Sequence, residues 1–406
     1  MIMPEATYRR MFPPALAGWA GSVLLAVLLV CGGEISVAGA EQVEHPYRGV
    51  TLITRSEILP RAVNLCVVLV DLAAPGIRFK LTSPGGTRET VRQRTVDFLE
   101  AEQAQLAVNT HFYVPVSDLE PNVNLAGLAV SEGRVYSPFE PQPVAPGLAF
   151  QAYAILPFAP ALNLDPSNHA AIVHFDATDT NGTQTVERVR LWNAVAGSAQ
   201  IVTAGRKTIP EYSGPPGGLT PFFIYSATNS WYDLLRARTV IGLSHGGATL
   251  VLFTVDEAGG SVGLTPGEAA DILIRDYGVE EALNLDGSVS TALALADPFT
   301  QRGRLVNVSS AGAGGRGVGC NLAVFAQPQP GRLRLARSGA GPSFTLTLSW
   351  PVDEAAWFLE RSAGLGGRAA WERWNVSPVR RDGWETLTLS VNPDSGGAGG
   401  YYRLVR

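Results

Sequence analysis

Between residues 265 and 291 the sequence moves without interruption from a signed helix to an apolar strand to a lone acid, and this order leaves the chain little freedom. Thr265, Pro266, Gly267 and Glu268 form a capping box with proline at the first helical position. AADILIRDY then runs to Gly278, the expected stop. In the following ALNLD, alternation places Leu283 and Leu285 on one face of a strand and Asn284 and Asp286 on the other. Asp286 is thereby presented at a strand end, Gly287 lets the backbone turn, and Ser288, Ser290 and Thr291 supply hydroxyls and amides for an anionic or sugar-like ligand. Taken alone, Asp-Gly is also a common turn dipeptide, so the acid needs support from the rest of the chain.

The 406 residues suffice for one large domain and a smaller one. A net charge of -5 argues against a nucleic-acid partner, which requires a concentrated basic surface. Residues 1–40 read as an export signal: Arg9 and Arg10, an apolar run from Ala15 to Val30, then Ala38, Gly39 and Ala40 as a small-residue cleavage site. A secreted or periplasmic protein is expected, with no integral membrane segment once the signal is removed. Cys66 and Cys320 remain; they pair if their strands are neighbours and are otherwise buried thiols. No Cys-x-x-Cys or close Cys-His spacing exists, so neither a metal nor another cofactor is expected.

Residues 49–59, 63–72 and RFKLTSP read as strands, and Thr90 to Ala104 as an amphipathic helix capped by Thr90 with Gln93. QLAVNTHFYV follows as a strand whose Asn109, His111 and Tyr113 share a face. GLAVSEG and RVYS form a hairpin within a loop-rich stretch, and LWNAVAGSAQIVTAGRKTI gives a strand, a tight turn at Gly197 and Ser198, and a hairpin. RTVIG pairs with TLVLFTVDE. After the linker 327–332 come strand-like runs and glycine-rich turns over 333–406, a small all-β sandwich in which Trp350, Trp357, Trp371, Trp374 and Trp384 supply core area. The fold class is α+β: a mixed or antiparallel sheet domain with flanking helices over 41–326, then the sandwich.

Several ordered segments resemble the phosphodiester glycosidase family: ALNLDGSVST its NLDG signature, VNTHFY its asparagine strand, AVAGSAQIVTAGR its Gly-Ser turn, RTVIG its arginine strand and LVNVSS its later asparagine, across residues 50–326. Ser288 and Val289 stand where that family usually has more glycine, and His111 replaces a second glycine. The final module resembles accessory β-modules of secreted bacterial proteins.

The resemblance implies hydrolysis of a sugar-1-phosphodiester to free sugar and phosphomonoester, with a carbohydrate phosphodiester or glycan as partner. On that reading Asp286 meets the anomeric carbon, Arg238 grips the phosphate with Arg316 as second choice, and Asn109 and Asn307 orient sugar hydroxyls. Gly197, Ser198, Gly287, Ser288 and Ser290 line the phosphate, and His111 is the proton carrier if one exists. Two other classes stand beside it: a metal-dependent phosphodiesterase on Asp286, Asp256 and His111, and a secreted glycan- or wall-binding protein without turnover.

Overall fold

The computed structural model describes residues 41–115, 117, 119–141, 155–209, 234–298, 300–329, 333–339, 343–352, 357–362, 370–381, 384–391 and 401–405. The expected export signal lies outside them. No described helix is long and apolar enough to cross a membrane.

The architecture is mostly β, and every described strand pairing is antiparallel. An eight-stranded sheet runs in the spatial order Glu41–Tyr47, Val50–Glu57, Val63–Asp71, Thr249–Val255, Arg238–Ser244, Val279–Asn284, Ala199–Thr203, Arg206–Lys207. A five-stranded sheet is ordered Gly303–Leu305, Leu293–Ala296, Leu106–Asn109, Asn321–Phe325, Arg78–Leu81. These two sheets face one another over a shared core: Leu52, Val68, Val70, Ile241, Leu252 and Leu283 from the first meet Leu106, Val108, Leu293, Leu322 and Val324 from the second.

The outer face of each sheet is closed by one helix. Helix α1, Thr95–Glu102, covers the five-stranded sheet with Phe98 and Leu99 against Ala107, Ala294 and Ala323. Helix α2, Pro266–Tyr277, lays Ala269, Ala270, Ile272 and Leu273 on Val67, Val240, Val251 and Phe253. The result is four layers, helix, sheet, sheet, helix, because each strand pair is apolar on both faces and needs cover on both. Another five-stranded sheet, which includes Ala129–Ser131 and Asn193–Ala196, packs beside the core.

Helix α2 follows its sequence signs closely. The Thr265 side chain accepts from the Glu268 amide, Glu268 reaches back to the Thr265 amide, and Gly278 ends the helix in the left-handed region at φ 60°. Helix α1 does not. It starts at Thr95 without a side-chain cap, and Thr90, the expected cap, lies in the short strand Thr90–Val91 with its hydroxyl donated to the Gly319 carbonyl at 2.7 Å. A carbonyl in the bend between Gly317–Val318 and Asn321–Phe325 outcompeted a local cap. Residues 41–47 form an edge strand on Val50–Glu57. Cys66 and Cys320 are both free and buried.

The C-terminal residues form a four-stranded sheet, Arg334–Ser338, Phe344–Pro351, Trp384–Val391 and Val379–Arg381, and a three-stranded one, Glu372–Arg373, Phe358–Ser362 and Tyr401–Val405. They share an apolar cluster in which Leu348 and Trp350 meet Leu359 and Leu404. Trp357 and Trp374 join that cluster, in line with the expected core role; Trp384 is not among its members.

Candidate functional site

The Val279–Asn284 strand leaves the eight-stranded sheet at Leu285, whose amide still donates to the Thr239 carbonyl at 2.9 Å. One residue later the Asp286 amide donates to Thr110, just past the Leu106–Asn109 strand of the opposing sheet. The acid therefore stands where the chain crosses between the two sheets. Leu285 fills the core between them, so the next residue is turned to the end of the sandwich. Gly287 and the single 3-10 turn Ser288–Ser290 complete the crossing before Leu293–Ala296 begins.

Asp286 is nearly buried, and burial lifts its pKa to about 7. The Ser290 hydroxyl, the Arg316 guanidinium, the Gly287 amide and Arg92 act in the opposite sense by favouring the carboxylate. Tyr113 belongs to the same group: burial raises its phenol to about 12, Asp286 adds to the rise, and Arg316 and Arg92 oppose it. The guanidinium carbons of Arg92 and Arg316 lie 5.2 and 5.9 Å from the Tyr113 ring centre. Arg92 is anchored through Nε and Nη2 to the Gly317 carbonyl at 3.1 and 2.8 Å and through Nη1 to Ser117. One carboxyl, one phenol, one hydroxyl and two guanidiniums thus share one environment. It pairs a carboxyl poised near neutrality with cationic forks suited to phosphate oxygens.

Asn109 holds this arrangement from beneath. Its Nδ2 donates to the Asp286 carbonyl at 2.7 Å, and its Oδ1 accepts from the Thr239 hydroxyl at 2.8 Å and the Ala292 amide at 3.0 Å. It is a positioning group rather than one presented to a ligand. Asn307 is similarly engaged: it accepts from the Leu293 amide at 2.8 Å and donates to Asp256 and to the Thr291 carbonyl. Asp256, buried beside it, has its pKa raised to about 6 by burial, against hydrogen bonds from Val308 and Asn307.

The other expected residues are distributed more widely. Arg238 is wholly buried on the α2 side of the eight-stranded sheet, in step with Val240, and donates to the main-chain carbonyls of Leu264 and Leu234. The charges that act most strongly on Asp286 are those of Arg316 and Arg92. Gly197 and Ser198 pack on the signature strand: the Ser198 amide donates to the Asn284 carbonyl at 2.8 Å, and Asn284 Nδ2 donates to the Ser198 hydroxyl at 2.9 Å. Ser288 adopts φ 52° and donates its hydroxyl to Glu257 at 2.7 Å.

His111 does not share a strand face with Asn109 and Tyr113, because the strand ends at Asn109 and another starts at Tyr113. Its Nε2 stands 3.0 Å from both the Leu128 carbonyl and the Ala196 amide, and burial lowers its pKa to about 4. It is a neutral ring tied to main chain. Among the described residues no three histidine, cysteine, aspartate or glutamate side chains stand together as a metal-binding group.

Arg92 and Tyr113 are not among the site residues that the sequence motifs identify. By sequence Tyr113 is only a strand neighbour of Asn109, and Arg92 falls inside the helix expected over Thr90 to Ala104.

A family model described as phosphodiester glycosidase matches residues 102–325. No curated protein matches the chain. Among solved structures, it is similar to a hypothetical protein from Synechocystis, at 14% identity and a TM-score of 0.50, over 72% of this chain and 64% of that one. It is also similar to the catalytic domain of zebrafish N-acetylglucosamine-1-phosphodiester alpha-N-acetylglucosaminidase, auto-inhibited by its pro-peptide, at 15% identity and a TM-score of 0.47, over 72% of this chain and 89% of that one. The chain thus spans about 64% of the length of the Synechocystis protein, and at this identity the likeness is one of fold.

Proposed function

We propose that this chain, which belongs to the phosphodiester glycosidase family by a match over more than half its length, is an exported enzyme that hydrolyses a glycosyl phosphodiester to free sugar and phosphomonoester. The observation that carries the reading is the placement of the Asp286 carboxyl, with a pKa near 7, in the same environment as Arg316 and Arg92.

Breaking an anomeric C–O bond builds positive charge on the sugar ring, and an adjacent carboxylate stabilises or attacks that centre. The leaving phosphate needs less protonation than a sugar alcohol and gains more from a guanidinium fork on its oxygens. In this reading ionised Asp286 faces the anomeric carbon. Arg316 takes the phosphate, with Arg92 held behind it by its main-chain bonds. Arg238, the first choice from sequence alone, acts instead from the α2 side through the Leu264 and Leu234 carbonyls. Ser290 orients the Asp286 carboxyl, and Asn109 fixes the main chain that carries it.

The test is turnover of a set of sugar-1-phosphodiesters by the wild-type chain beside Asp286→Ala and Arg316→Ala. Release of sugar and phosphomonoester that disappears in Asp286→Ala supports the reading. Turnover unchanged by that substitution, or none with any substrate, overturns it, the latter in favour of glycan binding without catalysis.

A further inference from the structure

In the four-stranded sheet of the C-terminal module, alternation sends Leu348, Trp350, Leu387 and Leu389 into the apolar cluster shared with the three-stranded sheet. The reverse face must then carry the intervening residues. Arg334 lies opposite Ser349 and Ser349 opposite Thr386, while Trp384 is two residues along the same strand. These four side chains form one continuous outward row. A tryptophan on the polar face of so small a module contributes nothing to its core, which already holds Trp350, Trp357 and Trp374.

The row does not face open solvent. Arg334, Ser349, Trp384 and Thr386 line one wall of a cleft of about 920 Å³, and the main domain supplies the other. That second wall includes Arg78, whose guanidinium stands 4.5 Å over the Phe325 ring, with Glu100 and Gln301 nearby. The volume lies within the range of about 300–1,000 Å³ typical of small-ligand sites.

We propose that this cleft is a glycan-binding site, with Trp384 as the platform for a sugar ring and the polar groups of both walls as partners for its hydroxyls. Hexopyranoses combine an apolar C–H face with a rim of groups that both donate and accept. An indole flanked by guanidinium, carboxylate, amide and hydroxyl side chains answers both features. Two arginines against one glutamate leave too little positive charge to select a polyanion.

The cleft is separate from Asp286. It lies by Gln105 and Phe325, at the start of the Leu106–Asn109 strand and the end of Asn321–Phe325. Asn109 and Asn321, paired at the other end of the same strands, mark the Asp286 side. Four residues at about 3.3 Å each put roughly 13 Å between the two ends. A glycan held here is therefore gripped away from the reacting centre, and the site stands independently of the activity assigned to Asp286.

The experiment is calorimetric titration of the whole chain with the β-1,4-linked hexasaccharides of N-acetylglucosamine, glucose, mannose and xylose. At least one is expected to bind, one molecule per chain. Trp384→Ala and Arg78→Ala should each weaken that binding about ten-fold, the scale of a lost aromatic or cationic contact, while Asp286→Asn leaves it unchanged. Should Trp384→Ala disturb its module, Arg78→Ala and Gln301→Ala carry the test from the other wall. Absence of binding to all four sugars overturns the proposal. So does binding that survives every cleft substitution or that is lost only in Asp286→Asn.

Discussion

Asn109 Nδ2 donates to the main-chain carbonyl of Asp286 at 2.7 Å, joining the end of a strand in one sheet to the crossing point from the other. The same amide accepts from Thr239 and Ala292. One side chain thus ties three segments at the position where the carboxyl is delivered. Asn109→Ala leaves buried donors and an acceptor unmatched and should lower stability by about 3 kcal/mol, at roughly 1–3 kcal/mol for each group left unpaired. A urea titration reads this loss. If Asn109 only positions Asp286, kcat falls while KM stays near its wild-type value.

The raised pKa of Asp286 gives stability and activity opposite dependences on pH. Between its unfolded value of 3.8 and its folded value near 7, the native chain keeps a proton that the unfolded chain has released. Stability from this group therefore falls as pH rises through that window and levels off above it. Asp256, raised to about 6, contributes in the same sense over a narrower span. Asp286→Asn should then be more stable to unfolding than wild type at pH 8, by an amount on the order of a few kcal/mol, and equal to it near pH 4. Hydrolysis by wild type should instead rise with pH to a plateau above about 7, because the carboxylate is the active form.

Arg316 favours the ionised form of Asp286, so Arg316→Ala should move the acid limb of the kcat/KM profile to higher pH. It should also raise KM about ten-fold or more through loss of the phosphate contact. Arg316→Lys should restore the position of the limb more fully than the KM, since a point charge cannot reproduce the fork. A pH–rate profile of the three proteins separates these effects.

A β-carbon at Gly197 would lie 2.3 Å from the Asn284 carbonyl oxygen, a main-chain atom that has no room to retreat. Gly197→Ala should therefore cost about 3 kcal/mol, the upper part of the range for overpacking. Ser198→Ala, which removes the acceptor of the Asn284 amide and a longer hydroxyl donation to the Asn284 carbonyl at 3.4 Å, should cost about 1 kcal/mol. Guanidinium denaturation of both variants distinguishes close approach from a lost hydrogen bond.

Local signals in the sequence were reliable where local forces decide the structure. The capping box of α2, its glycine stop and the strand that leads into Asp286 were all readable, because each depends on residues within a few positions. Thr90 and Gln93 spelled the same capping pattern and failed, since the Thr90 hydroxyl found the Gly319 carbonyl, which is remote in sequence. The crossing of the chain between two facing sheets was equally invisible, and with it the meeting of Arg92, Tyr113, Ser290 and Arg316 around Asp286. Asn109 and Asn307 were recognised as important, but their type could not show that their amides serve the protein itself. Ser288, a departure from glycine in the signature, keeps a left-handed backbone and gains a bond to Glu257 in return.

The central claim is that Asp286 acts at the anomeric carbon and the bond broken is C–O. Hydrolysis of a sugar-1-phosphodiester in ¹⁸O-labelled water, with both products weighed by mass spectrometry, tests it most directly. The account predicts label in the released sugar and none in the phosphomonoester. Label in the phosphomonoester would mean cleavage of the P–O bond and would contradict it.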